Sequence, residues 1–514
     1  MAKRTSERAK VEFGDFQTPP GLSADVCAVL VRMGIEPSSV IEPTCGVGNL
    51  LLAAVAAFPK TRSVLGLEVN GEYVNELRER LARSTSEMRP RIEVGSFFET
   101  DWATKIADLP APILFIGNPP WVTSADLGYL KSHNIPQKAN FHGRTGMDAL
   151  TGKANFDISE WMLCRLLSVL DGRDAVVAML CKTAVARKAL AFAWESGLRV
   201  DGASIHRIDS AKHFSAAVDA CLFVVRVGVQ VSSPACCVYD DLLSTEPTAT
   251  LGFRDGTLVA DAGQYDRSRS LLGVSEYTWR SGVKHDCAAI MELTSSGDGY
   301  MNGDGERVLL EQRYVFPMLK SSELARAGVP LPTRWMLVPQ RSVGEDTSTI
   351  RDEAPLTWKY LHKHSERFEK RGSSIYRGKP PYSVFGVGPY TFVPWKVAIS
   401  GLYKKLAFKA VGPVDDKPVV FDDTCYFVPC ASEKEARFLT DLLCSPTATA
   451  FFSAFVFWDA KRPITTELLR RLDLRSLAKE LHLEVTYDEL CSPPASRPIS
   501  RGRGLSKQMT LSEV

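Results

Sequence analysis

The sequence has no apolar run long enough to cross a membrane. Its most continuous one, Leu50 to Phe58, is 9 residues, about half of the ~18 that a spanning helix needs. The basic start, Met1-Ala2-Lys3-Arg4-Thr5, is not followed by an apolar h-region, so no signal peptide is read there and a cytoplasmic protein is expected. Net charge is nearly absent, with 62 Lys and Arg against 60 Asp and Glu, or +2. Bulk charge therefore argues neither for nor against nucleic acid, and only its distribution can. None of the 12 cysteines forms a Cys-x-x-Cys pair, and the Cys425/Cys430 spacing has no matching Cys or His pair nearby. They are read as reduced residues that pack as small hydrophobes, with no metal site.

At 514 residues the chain exceeds what one core usually serves, so two or more domains are expected. Between residues 38 and 230, strand and helix patterns alternate, the mark of an α/β fold with a mixed, mostly parallel sheet covered on both faces. The expected division is a catalytic domain over 1–235 with a polar insertion at 122–155, a second α+β domain over 236–490, and a basic, disordered tail over 491–514. The insertion carries Lys131, Lys138, His142, Arg144 and Lys153 and reads either as a mobile loop or as one that closes over a substrate.

The stretch Gly117-Asn118-Pro119-Pro120-Trp121 follows the apolar run Ile113-Leu114-Phe115-Ile116, which reads as a buried strand. Two prolines cannot continue a ladder and stiffen the backbone. They would fix the Asn118 side-chain carbonyl and the Pro119 main-chain carbonyl as two acceptors beside an aromatic face. That suits a planar substrate bearing an amino group. Upstream, Val40-Ile41-Glu42-Pro43-Thr44-Cys45-Gly46-Val47-Gly48-Asn49 reads as strand, glycine turn and helix start. A second strand, Ser63 to Leu67, ends in Glu68, 20 residues after Gly48, where dinucleotide folds bind a ribose diol. Before all of these stands Phe16-Gln17-Thr18-Pro19-Pro20. Glu42, Glu68, Ser96 and Asn118 all fall at carboxyl ends of strands, the rim where such sheets bind ligands.

This order of motifs resembles the gamma class of DNA adenine methyltransferases, modification enzymes of type II restriction–modification systems that use S-adenosylmethionine (SAM). The resemblance covers residues 13–227. It implies that Thr18 and Pro19 hold the methionine part of SAM, that Glu42, Cys45, Gly46 and Gly48 line it, and that Glu68 takes the ribose hydroxyls. Gly95-Ser96-Phe97-Phe98 occupies the place of the family's Asp-Phe motif: Phe97 would stack on the cofactor's adenine, with Ser96 in place of the usual carboxylate. Asn118, Pro119, Pro120 and Trp121 would form the catalytic motif, Trp121 replacing the commoner Tyr or Phe. Phe214, in His213-Phe214-Ser215, matches an aromatic that contacts the flipped base; core packing is an equal reading of it. The resemblance further implies a monomer acting on duplex DNA by base flipping, with a cognate endonuclease as a genetic rather than physical partner.

In the second unit, residues 356–405 hold ten Lys or Arg, two acids and ten aromatics. Basic side chains neutralise phosphates, and the segment is expected to touch DNA, with Arg377, Lys379, Lys404 and Lys405 as contacts. The alternative is a solvated basic face over an aromatic core. Other activities stay open: cytosine-amine methylation, usually with Ser or Asp in place of Asn118; RNA or protein-glutamine methylation; and a non-catalytic DNA-binding specificity subunit.

Overall fold

The computed structural model describes residues 17–83, 88–122, 157–215, 218–228, 234–328 and 332–491. Residues 13–16, the insertion beyond Val122 and the tail beyond Cys491 lie outside the described residues. The chain divides into two compact units, Met1–Asp266 and Arg267–Val514.

The first unit is built on ten strands: β1 (Ser39–Glu42), β2 (Ser63–Glu68), β3 (Arg91–Val94), β4 (Ile113–Gly117), β5 (Ala175–Lys182), β6 (Val200–Ile208), β7 (Ala220–Val227), β8 (Ala235–Tyr239), β9 (Ala249–Arg254) and β10 (Thr257–Val259). They form one sheet in the order β10-β9-β8-β6-β7-β5-β4-β1-β2-β3. From β3 to β5 every neighbouring pair is parallel, while β7 runs antiparallel between β5 and β6. Parallel pairing needs crossovers, and among β1 to β5 these carry the helices α2 (Asn49–Ala57), α3 (Gly71–Ala82), α4 (Trp102–Lys105) and α5 (Ile158–Leu170); α1 (Pro20–Arg32) precedes β1, and α6 (Thr183–Glu195) and α7 (Ser210–Phe214) follow β5 and β6.

Alternate strand residues Val40, Leu114, Ile116, Val176, Ala178 and Leu180 share a core with α1, α2 and α3. The intervening Ile41, Phe115, Val177 and Met179 are buried as well, so both faces are covered. Each of these side chains other than Ala178 contributes about 1.5–3 kcal/mol on burial. Because β1, β2, β3 and β4 are parallel, their carboxyl ends open on a single rim.

The expected boundary at residue 235 falls inside this sheet: β8 pairs parallel with β6, and β9 and β10 extend it outward. The second unit is α+β. Its four-stranded sheet places Cys425–Cys430 between Arg280–Ser281 and Trp395–Ser400, with Lys409–Val411 at the far edge. A separate six-stranded sheet includes Val315–Leu319 and Arg334–Leu337. Helices follow toward the end, among them Glu433–Leu443 and Leu474–Glu480. All 12 cysteines are free thiols. Among the described residues, no helix is long and apolar enough to cross a membrane.

Candidate active site

At the rim of the first sheet lies an open cleft of about 830 Å³, a volume that takes in the solvent at its mouth. Thr18, Glu42, Cys45, Gly46, Glu68, Phe97, Asn118 and Pro120 all line it, gathered from five separate stretches of chain.

The glycine turn forms the near wall. Gly46 has φ +49°, and a Cβ there would stand 2.5 Å from Gln17 Oε1. Val47 N–H donates to the same oxygen at 3.1 Å. The turn is closed by Gly48 N–H to Cys45 O at 2.7 Å and held to the sheet by Cys45 N–H to Leu67 O at 2.9 Å. Gly48, expected to line the cofactor, does not line the cleft: it has φ +82°, and a Cβ would meet Leu77 Cδ1 at 2.3 Å. It lets the turn pack on α3 instead. Pro19 also stands outside the cleft, where its carbonyl accepts Ser23 N–H at 3.0 Å and starts α1. Asn49 Nδ2 donates to Thr18 O at 2.8 Å, and Arg80 Nη2 donates to Asn49 Oδ1 at 3.0 Å. These bonds tie the Thr18 segment, the turn and α3 together.

Glu68 is fixed by two backbone donors, Gly46 N–H to Oε2 and Asn70 N–H to Oε1, both 2.9 Å. Glu42, 3% exposed, is unlike it. Burial pushes its carboxyl well above the usual carboxylate range, with the Glu68 charge acting the same way against a backbone bond at Leu51. Among the described residues, Glu42 Oε2 and Thr44 Oγ1 are buried with no hydrogen-bond partner, and both residues line the cleft. A buried acceptor of this kind suits a cationic ligand group such as an ammonium. Burial and the same two carboxylates push the Cys45 thiol upward, so it stays protonated.

Beyond Glu68 the lining becomes flat and apolar. Phe97 and Phe98 stand edge to face, centroids 5.8 Å apart, and Trp102 supports Phe97 at 5.2 Å and through Nε1–H to Phe97 O at 3.1 Å. Ser96 does not line the cleft; its hydroxyl accepts Phe98 N–H at 3.2 Å. At the end of β4, Asn118 and Pro120 face the cleft while Pro119 is buried beside them. Trp121 and Phe214 are brought together edge to face at 5.0 Å. They are 6% and 8% exposed and do not line the cleft.

Sequence reasoning missed Gln17, Asn49, Asn70, Tyr73, Phe98 and Met162, which also line the cleft. Asn70 had a signal: it caps α3 by accepting Glu72 N–H at 2.9 Å. Met162 had none, because it arrives from α5, far along the chain.

In the second unit, Arg377, Lys379, Lys404 and Lys405 are exposed, and no ion pair among the described residues involves them. Half of the ten cations in 356–405 are committed elsewhere. Lys363 pairs with Glu306 at 2.5 Å, Arg367 with Asp304 at 2.9 Å and Lys370 with Glu366 at 3.4 Å. Arg371 lies 3.6 Å over the Tyr376 ring, and Lys396 is buried on two carbonyls. Tyr360, Phe368 and Tyr382 are core residues.

No protein-family model matches the chain. In overall fold it is similar to the type IIL restriction–modification enzyme MmeI, solved in complex with DNA. The likeness has a TM-score of 0.52 at 15% identity and covers 90% of this chain and 65% of that one. A weaker likeness, TM-score 0.35 at 14% identity, joins 92% of the chain to 60% of the type IIG restriction endonuclease BpuSI. The type II methyltransferase M.NspV of Nostoc sp. (strain ATCC 29411 / PCC 7524) is 43% identical over 474 residues, covering 92% of this chain and 98% of the relative. With such identity sustained over nearly the full length of both proteins, the chain belongs to the type II methyltransferases.

Proposed function

We propose that this methyltransferase moves the methyl group of SAM to the exocyclic amine of adenine in duplex DNA, as the modification enzyme of a restriction–modification system. The observation that carries the reading is the convergence of Glu42, Glu68, Phe97 and Asn118 on one cleft. SAM, when bound, supplies an electrophilic methyl group on a sulfonium. Glu42, with its buried partnerless oxygen, and Thr18 would hold the methionine end. The immobilised Glu68 would accept from the ribose hydroxyls, and Phe97 and Phe98 would sandwich or edge the adenine ring.

The substrate amine is a poor nucleophile because its lone pair is delocalised into the ring. Asn118 Oδ1 and the Pro119 carbonyl would accept its two N–H bonds and turn the lone pair toward the methyl carbon. This is positioning and preorganised electrostatics rather than covalent catalysis. A target inside a duplex must be flipped out, at a cost of a few kcal/mol. The resemblance gives the stacking role to Trp121 and Phe214, which are packed on each other edge to face outside the cleft lining and would have to present a ring face to the flipped base. Arg377, Lys379, Lys404 and Lys405, exposed and without ion-pair partners among the described residues, would neutralise phosphates. The test of substrate class is incubation with methyl-tritiated SAM and, separately, duplex DNA, RNA and protein. Label should enter duplex DNA; incorporation only into RNA or protein would overturn the proposal.

A further inference from the structure

Lys182, the last residue of β5, makes two bonds that join otherwise separate parts of the site. Its Nζ donates to the Trp121 main-chain oxygen at 3.1 Å and to Asp157 Oδ2 at 2.7 Å. Asp157 is 8% exposed. It also caps α5 by accepting Ser159 N–H at 3.1 Å on its other oxygen. One residue away, Ile158 N–H donates to Val122 O at 2.9 Å. The chain leaving Trp121 and the chain entering α5 are thus bonded to each other and, through Lys182, to the sheet.

The same strand also holds the Trp121 ring, since its indole Nε1–H donates to Leu180 O at 3.2 Å. The sheet register makes these bonds available: Gly117 lies opposite Met179 in the parallel β4–β5 pair, so the residues after β4 run alongside Leu180 to Lys182. A tetrapeptide with two prolines has few soft dihedrals of its own. Its remaining freedom lies at its two ends, Gly117 at one and Trp121 at the other. Gly117 is fixed by the ladder and Trp121 by Leu180 and Lys182.

We propose that Lys182 and Asp157 form a clamp that positions the Asn118-Pro119-Pro120-Trp121 acceptors against the substrate amine. Lys182 acts as a positioning residue and touches neither substrate nor cofactor. The proposal rests on the reading of Asn118 as an acceptor for that amine. A misplacement of about 1 Å can cost on the order of 100-fold in rate, whereas SAM is held mainly by residues ahead of β4.

The test uses the full-length protein, single-turnover methylation of duplex DNA, and direct measurement of SAM affinity. Lys182→Met should lower the rate about 10- to 100-fold with SAM affinity within about threefold of wild type, which itself reports an intact fold. Lys182→Arg, which keeps donors for both oxygens, should recover most of the rate. Asp157→Asn should also slow turnover, and the double variant Lys182→Met/Asp157→Asn should be no slower than the slower single one, because both act through one ion pair. A Lys182→Met rate near wild type, a loss shared equally with SAM affinity, or additive effects in the double variant would overturn the clamp. Asn118→Ala separates the two claims. If it slows turnover about 100- to 1000-fold while Lys182→Met leaves the rate near wild type, the clamp fails and the acceptor reading stands; if Asn118→Ala keeps a rate within about tenfold of wild type, the acceptor reading fails as well.

Discussion

Replacing Asn118 by Ala removes a single acceptor from a site whose frame stays in place. The preceding Gly117 is held in the β4–β5 ladder opposite Met179, and the following prolines restrict the backbone without help from the Asn118 side chain. The loss should therefore be confined to the amide itself. Removing one preorganised hydrogen-bonding group from a transition state costs about 2.7–4 kcal/mol, or roughly 100- to 1000-fold in rate. The fold should lose only about 1 kcal/mol, a shift of a few degrees in melting temperature for a unit of this size. SAM affinity should stay within about threefold, because Glu42, Glu68, Gly46 and Phe97 line the cleft independently of Asn118. Single-turnover methylation with saturating SAM, beside calorimetric titration of SAM, reads both quantities. A rate within about tenfold of wild type, or a rate loss matched by weaker SAM binding, would refute Asn118 as an acceptor acting on the substrate.

The two turn glycines should separate binding from stability. Gly46→Ala forces Cβ against the movable end of Gln17 at 2.5 Å and should weaken SAM binding at least about tenfold, with about 1–2 kcal/mol of backbone strain. Gly48→Ala meets Leu77 Cδ1 at 2.3 Å and should mainly lower the denaturation midpoint, since overpacking adds about 1–3 kcal/mol to the strain. On DNA, Arg377→Ala/Lys379→Ala and Lys404→Ala/Lys405→Ala should each reduce the slope of log affinity against log salt, by up to ~0.9 for every phosphate left without its cation. Lys363→Ala/Arg367→Ala, whose side chains already pair with Glu306 and Asp304, should leave the slope nearly unchanged; the reverse pattern would move the DNA surface elsewhere. Burial lowers the Lys396 ammonium to about 7, while an unfolded lysine keeps its proton to about 10.4. The folded state thus binds fewer protons between those values, and stability should rise with pH from about 7 toward 10 and be flat below. Urea midpoints of wild type minus those of Lys396→Met, taken from pH 6 to 9.5, should grow with pH; a constant difference would contradict the burial argument.

The rim residues were legible in the sequence because each sits where a short apolar run stops at a polar residue or a glycine turn. Glu42, Glu68 and Asn118 needed only period and punctuation to be placed at strand ends. Which way a side chain turns beyond the strand was not legible. Ser96 stands at a rim position, yet its hydroxyl caps the Phe98 amide. Gly48 looks like a cofactor glycine but is required by Leu77, carried on another helix. Which cations of the basic segment are already paired was hidden for a related reason: the partners of Lys363 and Arg367 are Glu306 and Asp304, about sixty residues away, and no local pattern reveals such pairs. The boundary at residue 235 fell short because β8 joins β6 by parallel, non-sequential pairing, which strand propensity cannot register.

The central claim, transfer to an adenine amine, is tested most directly by nucleoside mass spectrometry of duplex DNA treated with the protein and SAM. N6-methyladenine should appear at a level that saturates when every copy of one recognition sequence is modified, and it should form about 100- to 1000-fold more slowly with the Asn118→Ala protein. N4-methylcytosine in place of methyladenine, or equal methyladenine with Asn118→Ala, would contradict the account.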